Sequence, residues 1–196
     1  MPTLSGLILC GGQSKRMGTD KGLILKGKQP WFTLMADKVK PFALQAFISI
    51  NKTQLEQYQA YFSPASFIID QHEVEGPLNG LLSAHQLYPK TDFIVLACDL
   101  INLQTATITK LIDSYQQFPD YDYYAYHNQQ FWEPLCAIYT AKALKNYHDQ
   151  ASFKHSFQAL LNQSKTYKLD IQQPESFINY NHPSSLAFLL DDASRK

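Results

Sequence analysis

Leu7-Ile8-Leu9-Cys10-Gly11-Gly12-Gln13-Ser14-Lys15-Arg16-Met17-Gly18-Thr19-Asp20-Lys21 begins as an apolar run and breaks into two glycines and a compact polar loop. From Gly6 to Cys10 the run does not alternate, which suits a strand covered on both faces, as in a parallel sheet. Gly11 and Gly12 follow at once. Without Cβ atoms they turn sharply and let backbone N–H groups approach a ligand. Ser14, Lys15, Arg16 and Lys21 add a hydroxyl and three cations within the same loop, with Arg16 able to fork onto phosphate oxygens and the lysines acting as point charges. A nucleoside triphosphate fits this set better than a neutral metabolite.

Two familiar phosphate loops do not match. A Walker loop needs GxxxxGK[ST], but Gly18 is followed by Thr19-Asp20, and no GxGxxG starts at Gly11. Two glycines alone would read as an ordinary strand-to-helix turn with solvated charges. The full string Gly11 to Lys21, GGQSKRMGTDK, resembles the GGxSxRMGxDK signature of the MobA family of molybdenum cofactor guanylyltransferases, without a gap. Sugar-phosphate and cytidylyl transferases of the same Rossmann-like fold share a looser GxGxRM…K pattern. The resemblance implies a single-domain, three-layer α/β nucleotidyltransferase fold, with a mostly parallel sheet and helices on both faces.

Composition agrees with such a domain. The chain has 196 residues, 45% hydrophobic and 17% charged, enough for one well-buried core, and nothing marks a second domain. Lys plus Arg and Asp plus Glu balance at 17 each, so no general basic field invites nucleic acid. Cys10, Cys98 and Cys136 are odd in number and set in apolar surroundings, which predicts reduced buried thiols and a cytoplasmic setting. No cationic region precedes Leu7 to Cys10, and no run reaches the length of a membrane span, so no membrane association is expected.

Strand and helix signals alternate along the chain. Strands are predicted at Leu7 to Cys10, Ala46 to Ile50, Phe67 to Asp70 and Phe93 to Cys98, with helices at Trp31 to Val39, Thr53 to Tyr61, Leu78 to Tyr88 and Thr105 to Phe118. This rhythm predicts a parallel-dominated sheet. Beyond Pro119, Tyr121 to His127 and Phe131 to Tyr139 read as β segments able to pair as a hairpin or edge ladder. Helices near Ala141 to Asp149 and Phe153 to Asn162, a strand near Tyr167 to Ile171 and a helix from about Ser184 complete the reading. The aromatic stretch Tyr121 to Tyr126 reads as sheet core rather than a base-stacking platform.

Ligands of open parallel sheets bind beyond the carboxyl ends of the strands. Asp99, Asp70 and Asn51 end three of the predicted strands and converge there with Gly11 and Gly12. From position alone, Asp99 reads equally as a Mg²⁺ carboxylate or as an N-cap of the following helix. Asn51 and Asp70 could likewise cap a helix or close a turn. The six histidines show no metal-ligand spacing, and His72 reads as a loop residue.

The resemblance assigns roles to these positions. Cys98-Asp99-Leu100-Ile101 is similar to the family's CDxP motif, which implies Asp99 as the metal residue, although Ile101 stands where the family has proline. Gly76-Pro77-Leu78-Asn79-Gly80 resembles its GPLxG motif, and with Leu9-Cys10-Gly11-Gly12 it implies contact with guanine. Asn51 and Asp70 match nucleoside-contacting positions. Lys21 is the expected phosphate contact, and Arg16 is expected on the triphosphate or the leaving pyrophosphate. Glu133-Pro134-Leu135-Cys136-Ala137-Ile138-Tyr139 and Phe177-Ile178-Asn179-Tyr180-Asn181-His182-Pro183 are similar to segments that imply a wall for a pterin. Glu133, Pro134, Asn179 and Asn181 are its candidates, Asn179 and Asn181 falling on one face if extended.

The expected activity is a Mg²⁺-dependent transfer of GMP from GTP to Mo-molybdopterin, with Lys21, Arg16 and Asp99 as catalytic groups. Molybdenum-insertion proteins and apo-molybdoenzymes are further expected partners. The alternatives are a cytidylyl or sugar-phosphate transferase of the same fold, and a catalytically silent GTP-binding regulator.

Overall fold

The computed structural model describes residues 3–11, 20–71, 74, 76–148, 156–178 and 180. Its sheet strands are β1 (Thr3–Leu9), β4 (Ala46–Ile50), β5 (Phe67–Ile69), β6 (Thr91–Ala97), β7 (Tyr123–His127), β8 (Trp132–Tyr139) and β9 (Thr166–Asp170). A separate small hairpin, β2 (Leu25–Lys26) with β3 (Gln29–Pro30), turns through Gly27 at φ +65°. The seven-stranded sheet has the order β5-β4-β1-β6-β8-β7-β9. β5, β4, β1 and β6 are parallel neighbours, β8 is antiparallel to both β6 and β7, and β9 is parallel to β7. Among the described strands of this sheet, β8 is therefore the one that runs against the rest.

The strands read as continuous apolar runs because both faces are covered. Ile8, Ile48, Ile50, Ile94, Leu96, Tyr124, Tyr126, Cys136 and Ile138 pack into one core, under α1 (Trp31–Val39), α2 (Leu55–Tyr58) and α4 (Thr105–Gln117). Their sequence neighbours Leu7, Leu9, Phe47, Phe93, Val95, Tyr123, Ala125, Ala137 and Tyr139 pack into a second core, under α3 (Leu78–Leu87), α5 (Ala141–His148) and α6 (Phe157–Gln163). This period-two sorting into opposite cores makes three layers. Each large side chain withdrawn from water contributes about 1.5–3 kcal/mol. The tyrosines of β7 are core residues, Tyr123, Tyr124 and Tyr126 being almost fully buried.

Most predicted elements appear within a residue or two of their expected bounds. The helix expected over Thr53 to Tyr61 is shorter. A 3₁₀ turn, Lys52–Gln54, leads into α2, and Tyr61 N–H bonds back to Tyr58 O before Ser63-Pro64 turns the chain. The helix expected from Phe153 is described from Phe157, capped by Ser156, whose side chain accepts from Ala159 N–H. The terminal helix expected from Ser184 lies outside the described residues. The last pair of the antiparallel β6–β8 ladder is Leu96 with Cys136, so Trp132–Leu135 run on beyond the paired stretch, on the side of the carboxyl ends of the parallel strands.

Candidate active site

The ends of β1, β4, β5 and β6 bring the candidate residues together. After β1, the Cys10 and Gly11 N–H groups both donate to Ser49 O, at 2.9 and 3.1 Å, which keeps the chain tight against β4 before it leaves the sheet. A Cβ on Gly11 would meet Asp70 Oδ2 at 2.3 Å, so only glycine allows this approach. Asp70 follows β5, and its Oδ1 accepts from Ser49 Oγ at 2.7 Å. Burial pushes its carboxyl above the ordinary aspartate value, while the Ser49 hydroxyl pulls the other way.

Asp99 follows β6, where Cys98 N–H donates to Leu9 O and extends the ladder beside β1. Lys21 Nζ lies 2.9 Å from Asp99 Oδ2. The alternative role of Asp99 as a cap is settled by α4, which starts at Thr105 with Gln104 at its N-cap position. Ile101, where the resembled motif has proline, is 3% exposed and packs with Trp31 and Tyr180. The turn is held by Leu100 N–H on Ala97 O and Leu103 N–H on Leu100 O, and Asn102 Nδ2 donates to Tyr180 Oη at 2.6 Å. Packing and hydrogen bonds thus do the work a proline would do by restricting φ.

The Gly76-Pro77-Leu78-Asn79-Gly80 segment lies against the same strand ends. Gly76 has φ +87° and Pro77 occupies the N-cap position of α3, so the motif is also a helix start. A Cβ on Gly80 would meet Ser49 Oγ at 2.1 Å and Leu9 Cδ2 at 2.8 Å, which shows how closely α3 sits on β1 and β4. Gln71 N–H donates to Ser83 Oγ and ties the chain after Asp70 to the same helix. Asn51, at the end of β4, acts as a cap: its Oδ1 accepts from Thr53 N–H at 3.0 Å and Thr53 Oγ1 at 2.5 Å.

Glu133 and Pro134 lie in the overhanging part of β8. Glu133 Oε1 accepts from Asn128 Nδ2 at 2.9 Å, and burial raises its carboxyl above the ordinary glutamate value. Pro134 O accepts from Tyr139 Oη at 2.9 Å. Gly12, Ser14, Lys15, Arg16, His72, Asn179, Asn181 and His182 lie outside the described residues.

Three side chains unremarked in the sequence reading support Lys21. Asp20 Oδ1 accepts from Gly22 N–H at 3.0 Å and Tyr58 Oη at 2.8 Å, and Asp20 Oδ2 accepts from Gln54 Nε2 at 2.5 Å. Asp20 thereby caps the 3₁₀ turn Lys21–Leu23. The Asn51-x-x-Gln54 spacing could have suggested a capping box, and that box is present. The contacts of Gln54 and Tyr58 with Asp20 join distant parts of the chain and have no local signal.

Among the described residues, no group of three or more His, Cys, Asp or Glu is arranged to hold a metal ion. Asp99 after β6 and Asp70 after β5 are the hard carboxylate donors described at the carboxyl ends of the parallel strands, and the resembled motif points to Asp99. That donor set fits Mg²⁺, which takes one or two carboxylates and completes its shell with phosphate oxygens and water, and not a zinc centre.

Residues 6–167 match the MobA-like NTP transferase domain. A probable molybdenum cofactor guanylyltransferase of Nostoc sp. is 29% identical over 202 residues, covering 99% of this chain and 95% of that protein. The molybdenum cofactor biosynthesis bifunctional protein of Synechocystis sp. is 35% identical over 142 residues, which are 72% of this chain but only 40% of that longer protein. In fold, the chain resembles the molybdopterin-guanine dinucleotide biosynthesis protein A of Archaeoglobus fulgidus, with a TM-score of 0.78 and 20% identity over 98% of this chain and 100% of that one. The domain match spans most of the length and takes in the glycine turn, Lys21 and Asp99, and on it the chain belongs to the MobA-like NTP transferase family.

Proposed function

We propose that this chain transfers GMP from GTP to the terminal phosphate of Mo-molybdopterin, forming the molybdopterin guanine dinucleotide cofactor. An oxygen of that terminal phosphate attacks the α-phosphorus of GTP, the bond from the α-phosphorus to its bridging oxygen breaks, and pyrophosphate leaves. The observation that carries the reading is the Lys21 and Asp99 pair at 2.9 Å, at the end of the strand beside the Cys10-Gly11 turn.

Asp99 would hold Mg²⁺, which, when bound, supplies positive charge to the phosphates. Lys21 and Arg16 add fixed cations for the triphosphate and the departing pyrophosphate, and the loop amides add N–H donors. The protein supplies no covalent nucleophile in this scheme. Cys10, the nearest thiol in sequence to the glycine turn, is buried, and burial with the adjacent Cys98 pushes it well above the ordinary thiol range. Catalysis then rests on positioning and electrostatics.

Leu9, Cys10, Gly11, Gly12, Asn51, Asp70, Gly76, Pro77, Leu78 and Gly80 form the proposed nucleoside side, with the Asp70 carboxylate as an acceptor for guanine N–H groups or the ribose. Glu133, Pro134, Asn179 and Asn181 form the proposed pterin side. Molybdenum-insertion proteins and apo-molybdoenzymes would stand before and after this step. The guanylyltransferase names of the Nostoc and Pseudomonas entomophila relatives support the choice of guanine.

The test is pyrophosphate release with Mg²⁺ and Mo-molybdopterin, comparing GTP, CTP, ATP and UTP in parallel. Strong selectivity for GTP is the expected result. CTP turnover would move the chain to a cytidylyl activity, and GTP binding without turnover under any pairing would replace catalysis with a regulatory role.

A further inference from the structure

Cys10 and Asp20 are fastened to one buried side chain. Gln54 is 8% exposed and stands at the end of the 3₁₀ turn Lys52–Gln54. Its Oε1 accepts from Asn51 N–H at 2.8 Å, and its Nε2 donates to Cys10 O at 3.2 Å and to Asp20 Oδ2 at 2.5 Å. A primary amide has two N–H donors, and both are used. Tyr58, fully buried, donates to the other Asp20 oxygen at 2.8 Å. Burial raises the Tyr58 hydroxyl far above the ordinary phenol range, so it remains a donor.

The turn carrying Lys21 is pressed onto this pair. A Cβ on Gly22 would meet Tyr58 Oη at 2.1 Å, leaving no room for any residue but glycine. Gly22 N–H completes the set of donors around Asp20, at 3.0 Å from Oδ1. The direction in which Lys21 leaves the turn is therefore set by Asp20, and Asp20 is set by Gln54 and Tyr58. We infer that Gln54 and Tyr58 are positioning residues of the site: they lock Asp20 so that Lys21 is aimed at Asp99, and Gln54 holds the Cys10 stem in register with the same lock. Neither is placed on the reacting atoms. This deepens the proposed guanylyl transfer, and its catalytic consequence rests on that reading, whereas the lock itself is a property of the free chain.

The variants are Tyr58→Phe, which deletes one hydroxyl, and Gln54→Glu, which keeps an oxygen for Asn51 N–H but removes both donors. In the free protein, amide hydrogen exchange at Gly22, Leu23 and Ile24 is expected to accelerate by about tenfold or more while Phe93 to Leu96 of β6 keep their protection. Unchanged exchange at Gly22 in both variants overturns the inference, whatever the enzyme does. With GTP, each variant should lower kcat by roughly 10- to 100-fold, the scale of a misplacement of about 1 Å. In a Lys21→Ala background the same substitutions should change kcat by less than about twofold, because the group they aim is gone. Losses that remain additive to Lys21→Ala overturn the positioning role and leave guanylyl transfer standing. A wild-type protein without GTP turnover removes the guanylyl reading, and the exchange result then decides the lock alone.

Discussion

Lys21 Nζ and Asp99 Oδ2 meet at 2.9 Å, joining the turn after the glycine loop to the end of β6, the central strand of the sheet. A cation and a carboxylate from positions so distant in sequence converge because β1 and β6 are adjacent and parallel. Both side chains keep some contact with solvent, at 19% and 12%. Asp99→Asn should therefore cost no more than about 2 kcal/mol of stability, while pyrophosphate release from GTP falls by at least about 100-fold. Chelation of Mg²⁺ should stop the wild-type reaction and readdition should restore it. Near-wild-type turnover of Asp99→Asn would remove this carboxylate from the mechanism.

Asp70 should leave a signature in the pH dependence of stability. Its folded-state carboxyl titrates above the ordinary value of 3.8 because of burial, partly offset by the Ser49 hydroxyl. The native state thus holds the proton more tightly than the unfolded state. The contribution is fully present below the unfolded value and is lost as pH rises through the raised native value. Urea midpoints measured across this window should fall for the wild type relative to Asp70→Asn and then run parallel above it. Parallel curves throughout would mean that Asp70 titrates as an exposed aspartate.

Gly80→Ala should destabilise the protein although it lies inside a helix. Alanine is favoured over glycine there by about 1 kcal/mol in isolation. The added methyl would fall 2.1 Å from Ser49 Oγ and 2.8 Å from Leu9 Cδ2, forcing α3 away from β1 and β4. A net loss of about 1–3 kcal/mol is expected, checked by thermal unfolding. Ser49→Ala in the same chain should recover part of it, and a stabilised single variant would contradict this packing.

The three thiols should be silent in the native state. Cys10, Cys98 and Cys136 are free and buried, and burial raises Cys10 and Cys136 further from the thiolate form. A chromogenic disulfide reagent should report almost no rapid reaction in buffer and three thiols in denaturant. Rapid labelling of the native protein would show that the strand ends open more readily than their packing implies.

The two-sided burial of the strands was legible as unbroken apolar runs, and the alternating helices could be placed because their signals are local. The position of β8 between β6 and β7 was not legible, since β pairing joins segments whose choice of neighbour has no local mark. Asn51 illustrates the division at the level of one residue. Its sequence position allowed either a nucleoside contact or a cap, and only the folded turn shows its Oδ1 engaged by Thr53. For Asp99 the folded chain excludes only the cap, because α4 starts at Thr105 with Gln104 at its N-cap position.

By itself, the sequence determined the three-layer plan, the glycine turn after the first strand and the residue types available at the strand ends, because periodicity, turn chemistry and charge act over short distances. Tertiary structure decided which of those groups meet. The pairing of Lys21 with Asp99, the lock of Gln54 and Tyr58 on Asp20, and the packing of Ile101 on Trp31 and Tyr180 all join residues far apart in the chain. Such contacts form only when sheet order and helix docking have brought their elements together, and that requires the whole core to be buried.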